Sequence, residues 1–320
     1  MRTFKSALAP FLEDYITYKR ALGYAFENLS HLYMFDKLYE DNNFTTLSIT
    51  REAIDIWSTK NPNETDSNRY HRISSIRDFS IYLNHCGYYS YIPRLPKNYH
   101  STFTPYIFTQ DELTHFFNAC DSRQEKKRSF NTSHYIYPAL FRLLYGTGLR
   151  ICEALSIEIK DIDLKEGTIV IRNSKNGEDR LIPLCPSLTM VLSNYKSYYR
   201  DKIKTGNLFF VKLNGERVSY DTVYRHFRKI LTLANISHGG KGYGPRLQDF
   251  RHTFSVNSLH KMTSEGLEIY YCLPILSQYL GHKSIDATNG YVRITMELYP
   301  EMMDKLNQSY SHLFPEVMKS

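Results

Sequence analysis

From Phe4 to about Tyr91 the apolar residues recur at helical spacing in short runs separated by polar stretches. Leu12, Tyr15, Ile16 and Tyr18 mark one predicted helix, and Leu32, Met34, Phe35 and Leu38 mark a second. A third, Ile54 to Trp57, follows Thr50-Arg51-Glu52. Between Tyr70 and Leu83 the repeat Ile73, Ile76, Phe79, Ile81, Leu83 encloses Arg72 and Arg77, as in an amphipathic helix with its basic residues outward. Together these runs predict a small helical domain over residues 1–91. Ile92-Pro93-Arg94-Leu95-Pro96-Lys97 then carries two prolines, which lack the amide that a helix or strand would need, so an extended basic linker is expected over 92–107. Thr109 with Glu112 three residues later fits a capping box and opens a second domain.

In that domain Tyr137 to Leu144 reads as a helix, Gly146-Thr147-Gly148 as its end, and Arg150 to Leu155 as a resumption. Thr168 to Ile171 and Leu181 to Pro183 read as strands joined around Asn176-Gly177, a pair suited to a type I′ turn, which puts Lys175 at a hairpin tip. Asn207 to Val211 reads as another short strand, and Ser219 to Ala234 as a helix with Val223, Phe227, Ile230 and Ala234 on one face. The expected fold is mainly α with a small antiparallel β-sheet in the second domain. Gly239 to Pro245 is glycine-rich but lacks the Gly-Lys-Ser/Thr ending of a nucleotide-phosphate loop, so no ATP site is expected there. Beyond Tyr291, the residues Met302, Met303, Leu306, Tyr310 and Leu313 recur at three and four positions and predict an amphipathic helix that ends before Pro315.

A length of 320 residues with 42% hydrophobic content suits two folded domains. The net charge of +7 favours a polyanionic partner such as nucleic acid. No run approaches the ~18 apolar residues of a membrane span, and Met1 to Pro10 lacks a secretory core with a cleavage site, so a cytoplasmic protein is expected. Cys86, Cys120, Cys152, Cys185 and Cys272 are scattered without a CxxC pair and read as reduced structural thiols. His226 and His260 have no metal-ligand spacing, so no metal is expected. With 27 tyrosines in the chain, a catalytic one needs a context.

Breaking a DNA phosphodiester without a metal takes a nucleophile, cations around the nonbridging oxygens, and an acid for the leaving 5′ oxygen. Arg150 lies just past a glycine turn in Gly148-Leu149-Arg150-Ile151-Cys152-Glu153-Ala154-Leu155, where it can fork on a phosphate or simply pair with Glu153. Leu247-Gln248-Asp249-Phe250-Arg251-His252-Thr253-Phe254 opens another helix, Leu280-Gly281-His282 ends a third, and Tyr291 follows His282 by nine positions. These blocks resemble the tyrosine recombinase, or phage integrase, family, whose catalytic domain carries Arg, Lys, His-x-x-Arg, His or Trp, and Tyr in that order. Each block is modestly specific alone; their joint order over about 145 residues is highly specific.

The resemblance implies a core-binding (SAM-like) helical domain over 1–91, the linker 92–107, a catalytic domain over 108–298, and a clamp of the two domains around double-stranded DNA with specific sites. It also implies a dimer to tetramer on nucleoid DNA, with the tail 299–320 exchanged between protomers. Carried over by position, Arg150 and Arg251 clamp the phosphate, Lys175 protonates the leaving oxygen, His282 binds the scissile phosphate, Tyr291 attacks, and Glu153 buttresses the site. No cofactor is implied, because a phosphotyrosyl link conserves bond energy without metal or ATP. Cations around Tyr291 are expected to favour its phenolate over a hydroxyl that ordinarily ionises near ~10.

Gln248 stands where the family usually has histidine. Glutamine can hydrogen-bond a phosphate oxygen or the tyrosine hydroxyl, but it cannot accept and return a proton at neutral pH. His252 neighbours Arg251 on a helix, about 100° round, so it is expected to pack or to orient Arg251. His238 beside the glycine loop either approaches the site in place of the missing imidazole or is merely solvated. Three activities fit: a recombinase for integration, excision or transposition; a catalytically impaired DNA-binding partner or regulator of the same fold; and a type IB topoisomerase.

Overall fold

The computed structural model describes residues 3–97, 104–125, 135–172, 179–240, 244–282 and 284–300. The chain divides into two compact units, Met1–Phe103 and Thr104–Ser320.

The first unit is four helices: α1 (Ala9–Ala21), α2 (Ser30–Asp41), α3 (Arg51–Ser58) and α4 (Asp66–His85). The hydroxyls of Thr50 and Thr65 accept from the amides of Ala53 and Asn68, which satisfies a free donor at the start of α3 and of α4. Leu12, Tyr15, Leu32, Phe35, Trp57, Ile76, Phe79 and Leu83 form the core. Tyr18 and Met34 face outward instead, 44% and 49% exposed, because a single helix buries one stripe and these positions lie off it. Tyr39 takes the inward position on α2.

Arg72 also departs from expectation, since it points inward and is buried. Its Nε and Nη2 donate to the two oxygens of Glu64 at 2.7 and 2.6 Å, it reaches the carbonyls of Trp57 and Thr59, and it lies 4.7 Å over the Trp57 ring. A guanidinium can be buried when a carboxylate and carbonyls take its donors, and helical spacing alone does not reveal those partners. Arg77 donates to the carbonyl of Pro93 and the Tyr91 amide to that of Ile49, so the first of the proline-bearing residues pack on this unit.

In the second unit, Thr109 and Glu112 form the expected capping box at the start of α5 (Gln110–Glu125). Next come α6 (Ile136–Thr147), the one-turn α7 (Ile151–Ala154), and the strands β1 (Ile162–Asp163), β2 (Thr168–Ile171) and β3 (Arg180–Pro183). They make an antiparallel sheet in the order β1-β2-β3, with Ile169 opposite both Ile162 and Ile182, and Ile171 opposite Arg180. Ile169, Ile171 and Ile182 are buried, so one sheet face lies on the core. The helices α8 (Pro186–Tyr198), α9 (Tyr220–Leu233), α10 (Asp249–Ser264), α11 (Ile269–Leu280) and α12 (Asp286–Leu298) complete the unit. The fold is mainly α with a small antiparallel sheet.

The expected strand at Asn207–Val211 does not form; only isolated bridges join Leu208 to Glu158 and Val211 to Arg217. Phe209, Phe210 and Val211 are consecutive and all buried, whereas a strand would send alternate side chains to opposite faces. The α9 face is as expected, with Val223, Phe227, Ile230 and Ala234 buried. The hairpin tip with Lys175 and the helix expected at Met302–Leu313 lie outside the described residues. Among the described residues no helix is long and apolar enough to cross a membrane.

Two apolar clusters fill this unit, and α10 serves both. Phe250 packs with Phe108, Phe116, Phe141 and Phe227, while Val256 and Leu259 join Cys272, Leu276, Tyr291 and Ile294. Arg251 therefore emerges from α10 between two cores.

Candidate active site

Helices α6 and α11 both end in a left-handed glycine, Gly148 at φ 61° and Gly281 at φ 65°. At Gly148 a Cβ would stand 2.5 Å from the Phe254 ring, so both space and backbone demand glycine, and at Gly281 the left-handed backbone does so while a Cβ would press on Arg180 Nη1 at 3.0 Å. These turns present carbonyls at helix C-termini, which favour cations. Arg251 takes them: Nη1 donates to Gly148 O and Nη2 to Leu280 O, both at 2.8 Å. The side chain is held on all sides, and the residue is 2% exposed. Burial and the neighbouring Arg150 bring its pKa down to about 10, which leaves it charged at neutral pH.

Arg251 Nη2 also lies 2.9 Å from His282 Nε2. A guanidinium only donates, so Nε2 accepts, and Nδ1–H is left to donate to Thr288 Oγ1 at 2.8 Å. Burial, Arg251, Arg150 and Arg180 push the imidazole down to about 4, so it is neutral.

Arg150 caps α7. Its amide donates to Glu153 Oε2 at 2.9 Å and its Nη1 to Oε1 at 2.8 Å, while Nη2 reaches Gly281 O at 3.3 Å. Glu153 also receives Arg180 from β3, at 2.8 and 3.2 Å. Burial alone would raise its carboxyl pKa, but Arg180 and Arg150 outweigh burial and hold it below the ordinary carboxylate range. One carboxylate thus braces two guanidiniums. Arg150 keeps a quarter of its side chain exposed, at 24%, so part of the cluster still faces outward.

Tyr291 projects from α12 into this cluster, 6% exposed, with its hydroxyl 2.9 Å from His252 Nδ1. Its pKa is raised by burial, against the opposing pull of Ser255, Arg251 and Arg150. The cations do pull toward the phenolate as expected, Arg251 and Arg150 both lowering the value, but removal from water outweighs them and the net direction is upward.

The expectation for His252 is corrected. It is a hydrogen-bond partner of Tyr291, alongside Ser255 and Arg251, beyond any packing role. Arg251 and His252 do point in different directions, but Tyr291 arrives from a second helix packed against α10 and meets His252 there. Gln248 is half-buried at the start of α10, and its carbonyl accepts from the amides of Arg251 and His252. Of the two partners open to Gln248, a phosphate oxygen or the tyrosine hydroxyl, the second is already engaged by His252.

Arg180 and Asp249 were not singled out in the sequence. A carboxylate three positions before His252 on one helix, and an arginine opening the strand after the Lys175 turn, were the available signals. His238 lies 3.5 Å from Tyr224 on α9 rather than beside Tyr291, and His226 and His260 stack on Tyr137 and Tyr299. Among the described residues no group of His, Cys, Asp or Glu could hold a metal ion. The cluster offers guanidiniums, suited to binding a tetrahedral oxyanion, beside a protonated tyrosine and an imidazole that steadies Arg251.

A family model described as the phage integrase family matches residues 107–297. The putative integrase/recombinase y4rB of Sinorhizobium fredii is 27% identical over 320 residues, covering 97% of this chain and 99% of that one. The tyrosine recombinase XerA of Pyrococcus furiosus is 31% identical over 170 residues, about half of either chain at 52% each. In fold, the chain is similar to a lambda integrase dimer bound to a COC′ core site, with a TM-score of 0.63 at 18% identity, covering 89% of this chain and 76% of that one. XerH recombinase bound to its difH substrate gives a TM-score of 0.57 at 19% identity, over 75% and 64%. The matched stretch holds every described residue of the guanidinium and tyrosine cluster and more than half of the sequence, and the chain belongs to the phage integrase family of tyrosine recombinases.

Proposed function

We propose that this protein is a site-specific recombinase that cuts and rejoins DNA through Tyr291, for integration, excision or transposition. The observation that carries the reading is the entry of one tyrosine hydroxyl from α12 into a cluster where Arg150, Arg251 and His282 are already fixed by helix ends. Arg150 and Arg251 hold the nonbridging oxygens of the scissile phosphate, where charge grows in the transition state. His282 contributes to the same phosphate site. Tyr291 Oη attacks phosphorus, the bond to the 5′ oxygen breaks, and Lys175 gives that oxygen its proton. The 3′-phosphotyrosyl ester is then attacked by the 5′ hydroxyl of a second strand, which releases Tyr291. One phosphate ester replaces another at each step, so the reading calls for neither metal nor nucleotide.

The relatives of known structure include a lambda integrase dimer on a core site and a lambda integrase tetramer on a Holliday junction. By analogy, this chain works as a dimer to tetramer on double-stranded DNA in the nucleoid. Residues 1–91 serve as the core-binding domain, 92–107 as linker and 108–298 as catalytic domain, the two domains closing on DNA, with 299–320 exchanged between protomers.

The test begins with duplexes selected by the protein from a random-sequence pool and rebuilt with a nick beside the cleavage point, which traps a covalent adduct. The wild type is expected to form the adduct, and Tyr291→Phe to bind the duplex without forming it. An adduct in the Phe variant would remove Tyr291 as the nucleophile. Binding without an adduct in the wild type would favour the second reading, a non-catalytic DNA-binding relative, which Gln248 at the usual histidine position makes specific. Arg150→Ala and Arg251→Ala are each expected to slow adduct formation by about 10²–10³-fold while changing affinity far less.

A further inference from the structure

Gln248 leaves the site without an imidazole at its usual place, and His252 and Asp249 are unassigned. Positions 248 and 252 are one helical turn apart, so they lie above one another on the same face of α10. His252 Nδ1 is 2.9 Å from the Tyr291 hydroxyl, and its other nitrogen, Nε2, is 4.0 Å from Asp249 Oδ1. Asp249 is fully buried and fixed by Arg246, whose amide donates to Oδ2 at 2.7 Å and whose Nη2 donates to Oδ1 at 3.0 Å. At 4.0 Å Asp249 is beyond hydrogen-bond reach of Nε2, but its charge favours the hydrogen on that nearer nitrogen, which leaves Nδ1 to accept from Tyr291.

We propose that His252 is the proton acceptor for Tyr291, held in the accepting tautomer by Asp249, so that an Asp-His-Tyr relay from α10 to α12 replaces the imidazole missing at Gln248. The proposal rests on the reading of Tyr291 as nucleophile. As the bond from Oη to phosphorus forms, the hydroxyl proton passes to Nδ1, and the P–O5′ bond breaks with the 5′ oxygen protonated by Lys175. In rejoining, the attacking 5′ hydroxyl gives its proton to the neutral amine of Lys175 as its oxygen bonds phosphorus, and the imidazolium returns its proton to Oη as the bond from Oη to phosphorus breaks. Asp249 stabilises the imidazolium and keeps its own charge throughout.

The groups facing His252 are Asp249, Arg246 and Arg251 on and before its helix, Tyr291 from α12, and His282 after α11. Burial, with Arg246 and Arg251, brings His252 down to about 4 against the opposing pull of Asp249. It is therefore neutral, with the Nδ1 lone pair open to the Tyr291 hydroxyl, through the whole range above that value. Tyr291, raised by burial, does not ionise by itself near neutral pH.

Single-turnover adduct formation on the nicked duplex, with protein saturating, separates base from tether. The wild type is expected to cleave at a nearly constant rate between about pH 6 and 9, the acceptor being neutral throughout. His252→Asn places an amide oxygen where Nδ1 was, so it still accepts from the hydroxyl but takes no proton. It should cleave about 10²–10⁴-fold more slowly at neutral pH, with a rate that rises about tenfold per pH unit. His252→Ala should regain rate with added imidazole, and Asp249→Asn should lose rate while binding DNA as before. A His252→Asn enzyme with wild-type rate and a flat profile would overturn the proposal. So would a ¹⁵N-histidine spectrum of the wild-type protein showing His252 with its hydrogen on Nδ1, a result independent of how the variants fold. If the wild type forms no adduct, or Tyr291→Phe still does, the nucleophile reading fails and this proposal falls with it. A Tyr291-dependent adduct with an unchanged His252→Asn profile sinks the relay alone.

Discussion

A guanidinium presents its donors in one rigid plane, and Arg251 spends them on Gly148 O, Leu280 O and His282 Nε2 at 2.8, 2.8 and 2.9 Å. An ammonium cannot match that fan from the same backbone position. Arg251→Lys is therefore expected to leave at least one buried acceptor unpaired, costing about 1–3 kcal/mol in urea unfolding, and to lose cleavage by more than the Ala variant of an exposed arginine would. In the first unit the buried Arg72 and Glu64 pair makes a prediction in pH. Hydrogen bonds from Arg72 hold the Glu64 carboxyl at about 2, below its ordinary 4.5. A depressed folded-state pKa gives stability that is fully present above the unfolded value and is lost as pH falls from about 4.5 toward 2. Glu64→Gln should lower the midpoint at pH 7 and flatten the acid limb of the melting-temperature profile; an unchanged acid limb would show the pair to be bystanders.

Gly148 and Gly281 show how two helix ends set the site. Gly148→Ala meets both the left-handed backbone at φ 61° and the Phe254 ring, whereas Gly266, also left-handed at φ 97°, has nothing within 4 Å of a Cβ. Gly266→Ala should cost only the backbone term, about 1–2 kcal/mol, and leave cleavage unchanged. Gly148→Ala should cost more and also slow cleavage, because the carbonyl that holds Arg251 moves with the turn; equal effects would show that the turn does not position Arg251. Features of this local kind were legible in the sequence: the Thr109 and Glu112 box, the α9 face, the glycine stops and the order of arginines, histidine and tyrosine are all written in short spacings. What spacing omits is the partner that arrives from elsewhere in the chain. Arg72 was placed outward because Glu64 and the Trp57 carbonyl come from outside its helix. The angle between His252 and Arg251 points to a residue that packs or orients Arg251, because it says nothing of a tyrosine delivered by α12. The run Phe209-Phe210-Val211 looked like a strand because apolar content, without alternation, does not distinguish strand from buried loop.

At the scale of the molecule, each unit has an apolar core of its own among the described residues. The described residues of the cluster around Phe35 and Trp57 belong to the first, and those of the clusters around Phe250 and Tyr291 to the second. Each unit therefore has what a domain needs to fold alone, and residues 104–320 expressed by themselves are expected to unfold in one cooperative transition. Every described partner of Arg150, Arg251, His282 and Tyr291 also lies in that fragment, so its active-site geometry should survive. The charge is unevenly shared: Lys and Arg outnumber Asp and Glu by 12 to 11 over residues 1–103, but by 28 to 22 over 104–320. Because each neutralised phosphate releases counterions, the slope of log affinity against log salt reports how many phosphates a unit engages. The fragment 104–320 should bind the selected duplex more weakly than the whole chain yet keep most of that slope. A fragment slope below half that of the whole chain would mean that the first unit, despite its near-neutral balance, concentrates its cations on DNA.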